Sequence, residues 1–128
     1  MGRPPDQVFA AKHYLCVFGD AEDVRGLRPD MTLLAGLDLP AVIVTAPAAD
    51  EVDFVSRFFA PANGVPEDPV SGVAHVCLAP YCSERLGKRK LMGRQLSPRG
   101  GLVHCEDLGA RVELRGNAVT VLEGRFRL

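Results

Sequence analysis

The apolar positions change period along the chain, and those changes mark its elements. Residues 14–18 (Tyr-Leu-Cys-Val-Phe) are a short apolar run closed by Gly19-Asp20, which predicts a β-strand, and residues 20–27 follow as a short helical turn. Pro29 suits the first position of a second helix, whose Leu33, Leu34 and Leu37 recur at helical spacing until Pro40 stops it. Residues 41–46 and 54–60 are short, apolar and rich in β-branched or aromatic side chains, so both are expected as buried strands paired in one wall. Residues 69–86 then switch to a helix. Val73, Ala74, Val76, Cys77, Leu78 and Ala79 are apolar on every side of its first turns, the pattern of a helix surrounded by protein. Pro80 is expected to kink it, Ser83, Glu84 and Arg85 mark its emergence into solvent, and Gly87 supplies a left-handed stop.

After Gly87 the period returns to that of strands, at residues 91–96, 102–105, 111–114 and 119–128. Turns fall at Arg99-Gly100-Gly101, Leu108-Gly109 and Arg115-Gly116-Asn117. Val112 and Leu114 alternate with Glu113 and Arg115, as in a strand with one wet and one dry face. The elements add up to an α+β half-barrel, a β-barrel-like sheet wrapped around one central helix.

Composition narrows the class. The 128 residues, 47% of them apolar, fit one domain, with residues 1–7 read as a loose tail. No run of about eighteen apolar residues occurs, and Met1-Gly2-Arg3-Pro4-Pro5 lacks the apolar stretch of a signal peptide, so a cytoplasmic protein that does not enter a membrane is expected. A net charge of −1 gives no field to attract nucleic acid. The one basic concentration (Arg85, Lys88, Arg89, Lys90, Arg94, Arg99) lacks the interleaved aromatics that stack on bases, and reads as a solvated helix end and loop. Cys16, Cys77, Cys82 and Cys105 contain no Cys-x-x-Cys pair and read as reduced, structural thiols. No metal and no cofactor are expected: His75 and Cys77 diverge on a helix, and no dinucleotide signature is present.

The candidate chemistry lies in Pro66-Glu67-Asp68-Pro69-Val70-Ser71-Gly72-Val73-Ala74-His75. Asp68 is a preferred N-cap type and Pro69 suits the first helical turn, so a helix mouth with outward N–H groups is expected beside two carboxylates. Consecutive side chains point apart, which leaves Asp68 as the proton carrier and Glu67 in support. Ser71 brings a hydroxyl, and Gly72 lets a substrate approach the backbone closely. His75, one turn beyond Ser71, either accepts its proton or fills a polar place in the core. Arg99-Gly100-Gly101 either offers a guanidinium and backbone N–H groups to a substrate carboxylate or is a simple tight turn.

Arg57-Phe58-Phe59-Ala60-Pro61, Glu67 to His75, Leu78-Ala79-Pro80-Tyr81 and Arg94-Gln95-Leu96-Ser97-Pro98-Arg99-Gly100-Gly101 resemble, in order and spacing, the PhzF (phenazine biosynthesis-like) family, from about Val8 onward. The resemblance implies a diaminopimelate epimerase-like fold of two pseudo-symmetric halves with the active site between them, of which this chain is similar to the second half. The family's first-half Ser-Glu-Thr-like segment, with its catalytic glutamate, is not among these residues. Asp68 corresponds to the aspartate of the family's Glu-Asp-Pro-x-Thr-Gly-Ser motif, which lines the active site. Ser71 stands for its Thr and keeps the hydroxyl, whereas Val73 stands for its Ser at a substrate-facing position and cannot hydrogen-bond. The implied activity is cofactor-independent isomerisation or epimerisation of a small carboxylate-bearing substrate by general acid–base proton transfer. A homodimer would supply the missing half-cleft. The alternatives are a non-catalytic small-anion-binding remnant and a half-enzyme completed by a separate polypeptide.

Overall fold

Seven strands lie side by side in chain order in a single sheet: β1 (Gln7–Ala10), β2 (Tyr14–Val17), β3 (Val42–Pro47), β4 (Phe54–Phe59), β5 (Lys90–Gln95), β6 (Gly101–Asp107) and β7 (Val112–Arg115). The structure is a computed structural model and describes all residues from Met1 to Leu128. Neighbouring strands are antiparallel except β2 with β3 and β4 with β5, which are parallel. A parallel pair cannot be joined by a hairpin and needs a crossover. The first crossover carries two short helices, α1 (Ala21–Gly26) and α2 (Met31–Ala35), and the second carries the long helix α3 (Gly72–Leu86).

The two crossovers cover opposite faces of the sheet, which explains why β3 and β4 are rich in apolar residues on both faces, with Thr45, Ser56 and Arg57 as the polar exceptions. Cys16, Phe18, Val42, Val44, Val55 and Phe59 pack with Val24 and Leu27 of the first crossover. Their neighbours in the strands, Leu15, Val17, Ile43, Phe54 and Phe58, turn the other way and pack with Ala74, Leu78, Ala79 and Cys82 of α3. Cys16, Cys82 and Cys105 are buried free thiols, and burial pushes Cys82 up to about 12 and Cys105 to about 11, so they remain protonated packing groups. No helix is long and apolar enough to cross a membrane.

Several boundaries differ from the sequence expectation, each for a local reason. The helix α2 begins at Met31 with Asp30 as its cap, the carboxylate accepting from Thr32 N at 2.9 Å and Leu33 N at 3.0 Å, so Pro29 stands outside it. The tail expected over residues 1–7 is tied down instead: Asp6 N donates to Val17 O at 2.8 Å, Arg3 pairs with Asp23, and Gln7 opens β1. All four residues of β1 are exposed, and a strand with no buried face leaves no alternation to read. The strand expected over residues 119–128 is absent. Those residues form no secondary structure and are exposed throughout.

The central helix is less enclosed than its sequence implies. Its buried face is Ala74, His75, Leu78, Ala79, Cys82 and Ser83, while Val73, Val76, Cys77 and Pro80 form an exposed stripe, with Val73 at 49% and Val76 at 50% accessibility. The sheet does not close over this stripe, because β1 and β7 are its unpaired edges. Phe9 of β1 meets Tyr81 with ring centroids 5.7 Å apart, and the Leu114 side chain of β7 faces Gly72, so each edge touches one end of α3. Gly87 ends the helix in the left-handed region at φ 65°, as its sequence predicts.

Two core positions make the packing testable. A β-carbon on Gly93 of β5 would stand 2.5 Å from the Phe54 ring, so Gly93→Ala is expected to cost about 1–3 kcal/mol in a denaturation midpoint measurement, less in a Phe54→Leu background. His75 is fully buried, and burial holds it below its ordinary value of 6.5, so it is neutral in the folded protein. The unfolded chain binds that proton first as the solution is acidified. Stability is therefore expected to be constant in this respect above about pH 6.5 and to fall below it, down to the depressed folded value. The fall should shrink in His75→Gln; an unchanged pH slope in that variant would place the titration elsewhere.

Candidate active site

The segment between β4 and α3 is fastened to the sheet at both carboxylates, by different partners. Arg57 of β4 sits mid-strand on the α1 face with its side chain about one-tenth exposed, where an unpaired guanidinium would be costly. Its Nη1 donates to Val24 O and Leu27 O at 3.2 and 2.9 Å, and its Nε and Nη2 donate to the two oxygens of Glu67 at 2.7 and 2.9 Å. Both Glu67 oxygens are thus committed to one fork-to-fork pair. The structure places Glu67 as the anchor of the loop to the first crossover, away from the role of a free second acid.

Asp68 is held differently. Its backbone N donates to Phe58 O at 3.0 Å, and its Oδ2 accepts the hydroxyl hydrogen of Ser71, leaving Oδ1 without a protein partner. The helix starts at Gly72, three residues later than expected, with extended Ser71 at the cap position and Asp68 outside it. What shifts the start is Gln95, fully buried at the end of β5. Its Oε1 accepts from Ser71 N at 2.8 Å, and its Nε2 donates to Asp68 O at 2.7 Å and lies 3.3 Å from Ser71 Oγ. The carboxylate and the hydroxyl are thereby gripped by one side-chain amide. Because Ser71 Oγ serves Asp68, it caps nothing, and the opening N–H groups of α3 have no side-chain acceptor.

His75 does not reach the Ser71 hydroxyl. Its Nδ1 is 2.8 Å from Ser71 O, an acceptor, so Nδ1 carries the proton, while Nε2 has no partner beside Phe54 and Gly93. Of the two readings of His75, the geometry matches the polar core residue. Gly72 and Val73 are exposed at the helix mouth, and a β-carbon on Gly72 would approach nothing closer than Leu114 at 3.9 Å, so that approach is open.

The turn from Ser97 to Gly101 packs on the same loop. Ser97 Oγ donates to Pro69 O at 2.6 Å and accepts from Gly100 N at 2.9 Å, and Gly100 needs its positive φ of 68° to close this turn. A β-carbon on Gly101 would fall 2.5 Å from Val70 Cγ2. The Gly100 N–H is therefore spent, and Gly101 is a packing requirement. Arg99 is exposed and free of an ion pair, whereas Arg94 and Arg25, which share with it a concavity of about 320 Å³, hold Asp50 and Glu22. The site thus brings together Asp68, Ser71 and the start of α3, with Arg99 on the adjoining turn. Gln95 and Arg57 were not singled out from sequence for these roles. Their signal was available: Leu91, Gly93 and Gln95 share the inward face of β5, and Arg57 interrupts the apolar run of β4, so each is a buried polar group in need of a partner.

A family model described as phenazine biosynthesis-like protein, PhzC-PhzF, matches residues 5–124. An uncharacterized isomerase of Pseudomonas aeruginosa is 49% identical over the whole chain, which covers 49% of that protein, and an uncharacterized isomerase of Halalkalibacterium halodurans is 42% identical over 90% of the chain and 44% of its own length. A crystal structure of a putative phenazine biosynthesis PhzC/PhzF protein from Clostridium difficile superposes with a TM-score of 0.86 at 37% identity, over 99% of this chain and 49% of that one. The chain thus spans about half the length of the relatives it matches. Its curled sheet and central helix form an α+β fold similar to that of diaminopimelate epimerase. With the match running across nearly all its elements, the chain belongs to the phenazine biosynthesis-like (PhzC-PhzF) family.

Proposed function

We propose that the chain is one half of a cofactor-independent PhzF-like isomerase, in which Asp68 takes a proton from one position of a small carboxylate-bearing substrate and returns it at another. The observation that carries this reading is the placement of Asp68: one oxygen is held by Ser71, the other is free, and both lie beside the uncapped start of a fifteen-residue helix. A proton moving to Oδ1 leaves the Ser71 hydrogen bond on Oδ2 intact, so the group can cycle between acid and base without rearranging. The substrate carboxylate would lie against the first N–H groups of α3, with Arg99 as its second contact. Val73 would offer an apolar contact at that mouth. Relatives twice as long support the need for a second half-cleft, which a second copy of this chain would supply by two-fold symmetry.

A second reading, a small-anion-binding module without turnover, is favoured by two observations. Glu67 is committed to Arg57, and Val73 brings no hydroxyl to the mouth.

Asp68→Asn separates the two. Ionised Asp68 repels an anion at the helix mouth, so calorimetric titration of a small carboxylate should show equal or tighter binding in the variant. Exchange of substrate protons in deuterated water, on cyclic and amino-acid-like carboxylates, should fall by about 100-fold or more. Binding kept and exchange equal in both proteins would reduce Asp68 to a loop anchor. Glu67→Ala is expected to act on the fold instead, costing on the order of 3 kcal/mol by leaving Arg57 unpaired at a nearly buried site. A stable Glu67→Ala protein with abolished exchange would return Glu67 to the chemistry.

A further inference from the structure

Exposed apolar side chains are scattered over the chain, at Leu33 and Leu108 among others, but they form contiguous groups in two places. One is the segment after β7. Val119, Val121, Leu122 and Phe126 are 84–98% accessible, and residues 116–128 take part in no hydrogen bond and in neither apolar cluster. Its pattern is that of a strand: Val119 and Val121 flank Thr120, and beyond Gly124 Phe126 and Leu128 alternate with Arg125 and Arg127. A strand with one apolar face and no partner edge cannot persist alone in water. The other place is the open side of α3, where Val73, Val76, Cys77 and Pro80 lie in the gap between the unpaired edges β1 and β7, with Phe9 of β1 on the same side against Tyr81.

We propose that residues 118–128 of one copy add as a strand to the free edge of β1 in a second copy, laying their apolar side chains on that copy's Val73, Val76, Cys77 and Pro80. The exchange is reciprocal about a two-fold axis, so each copy gives one segment and receives one. The dimensions agree. An extended segment of this length spans about 35 Å, enough to run alongside α3, whose fifteen residues measure about 22 Å. Segment and receiving surface together engage roughly 20 residues of each copy, the size of a standard specific interface. Edge pairing would also satisfy the unpaired N–H and C=O groups of β1. The arrangement gives a structural form to the two-copy assembly proposed above and does not depend on the acid–base chemistry.

Cys77 provides the test, because it is the exposed thiol on the stripe while the other three cysteines are buried. Under mild oxidation Val119→Cys and Val121→Cys should form disulfides with Cys77 of the other copy, giving a species of doubled mass on a non-reducing gel, and Thr120→Cys, on the opposite face, should not. Sedimentation equilibrium should show a dimer whose dissociation constant rises at least 100-fold when the chain ends at Asn117, and also in Val121→Glu. Both apolar clusters lie before residue 117, so the shortened chain should keep its cooperative unfolding transition. A monomeric 128-residue chain at micromolar concentration overturns the exchange and the two-copy assembly together. A dimer unaffected by shortening, or disulfides formed only within one chain, overturns the exchange and leaves two-copy assembly standing.

Discussion

The side-chain amide of Gln95 ties the sheet, the central helix and the candidate site to one another. It is buried, it ends β5, and it reads both a donor and an acceptor of the loop before α3, at Ser71 N and Asp68 O. Neither loop group has another protein partner, so without the amide the buried Ser71 N would lack a hydrogen bond at a cost of about 1–3 kcal/mol, and the part-buried Asp68 O would lose its protein contact as well. The geometry is as consequential as the energy. An amide that grips both ends of a four-residue turn fixes the side chains hung on it, and those are the carboxyl of Asp68 and the hydroxyl of Ser71.

The neighbouring carboxylates show how one peptide unit separates two roles. Glu67 points toward the first crossover and completes the charge of Arg57, while Asp68 points toward the helix mouth and keeps one oxygen free. The ion pair is part of the same device, since it holds the loop from one side of the sheet as Gln95 and Ser97 hold it from the other. The proton-transfer role proposed for Asp68 calls for a fixed position and an unsaturated hydrogen-bonding capacity. The contacts of Glu67 and Gln95 fix the loop that carries Asp68, and Oδ1 of Asp68 keeps no protein partner.

The parts of the fold that were legible in the sequence are those whose physics is local. The strands β3 and β4 were read nearly to the residue because both faces are covered, and a short segment dominated by β-branched and aromatic side chains leaves little else for them to be. The turn glycines Gly87 and Gly109 were legible because positive φ is a property of a single residue. The start of α3 was not. Asp68 and Ser71 are both good caps, and the choice between them rests on a glutamine 24 positions away. The pairing of Arg57 with Glu67 across ten positions is hidden for the same reason, and β1, exposed on both faces, carries no pattern at all. The strand expected over residues 119–128 shows the converse: alternation reports that a segment suits a sheet, and it does not supply an edge to pair with, so here the segment stays outside the sheet.

The strand order has a consequence for how the chain acquires its structure. Each strand is laid beside the one before it, so spatial order and chain order coincide. One of the two apolar clusters draws every buried member from residues 16–59, ahead of the helix and the last three strands. The other needs residues as far apart as Leu15 and Cys105. Closing a short loop costs less entropy than closing a long one, so the nearer cluster sets first and offers a finished surface to the later elements. During synthesis from the N-terminus, the first crossover can therefore dock while α3 is still unmade. The helix then arrives against a prepared wall, and the site at its mouth is the last part of the loop to be locked, when Gln95 emerges.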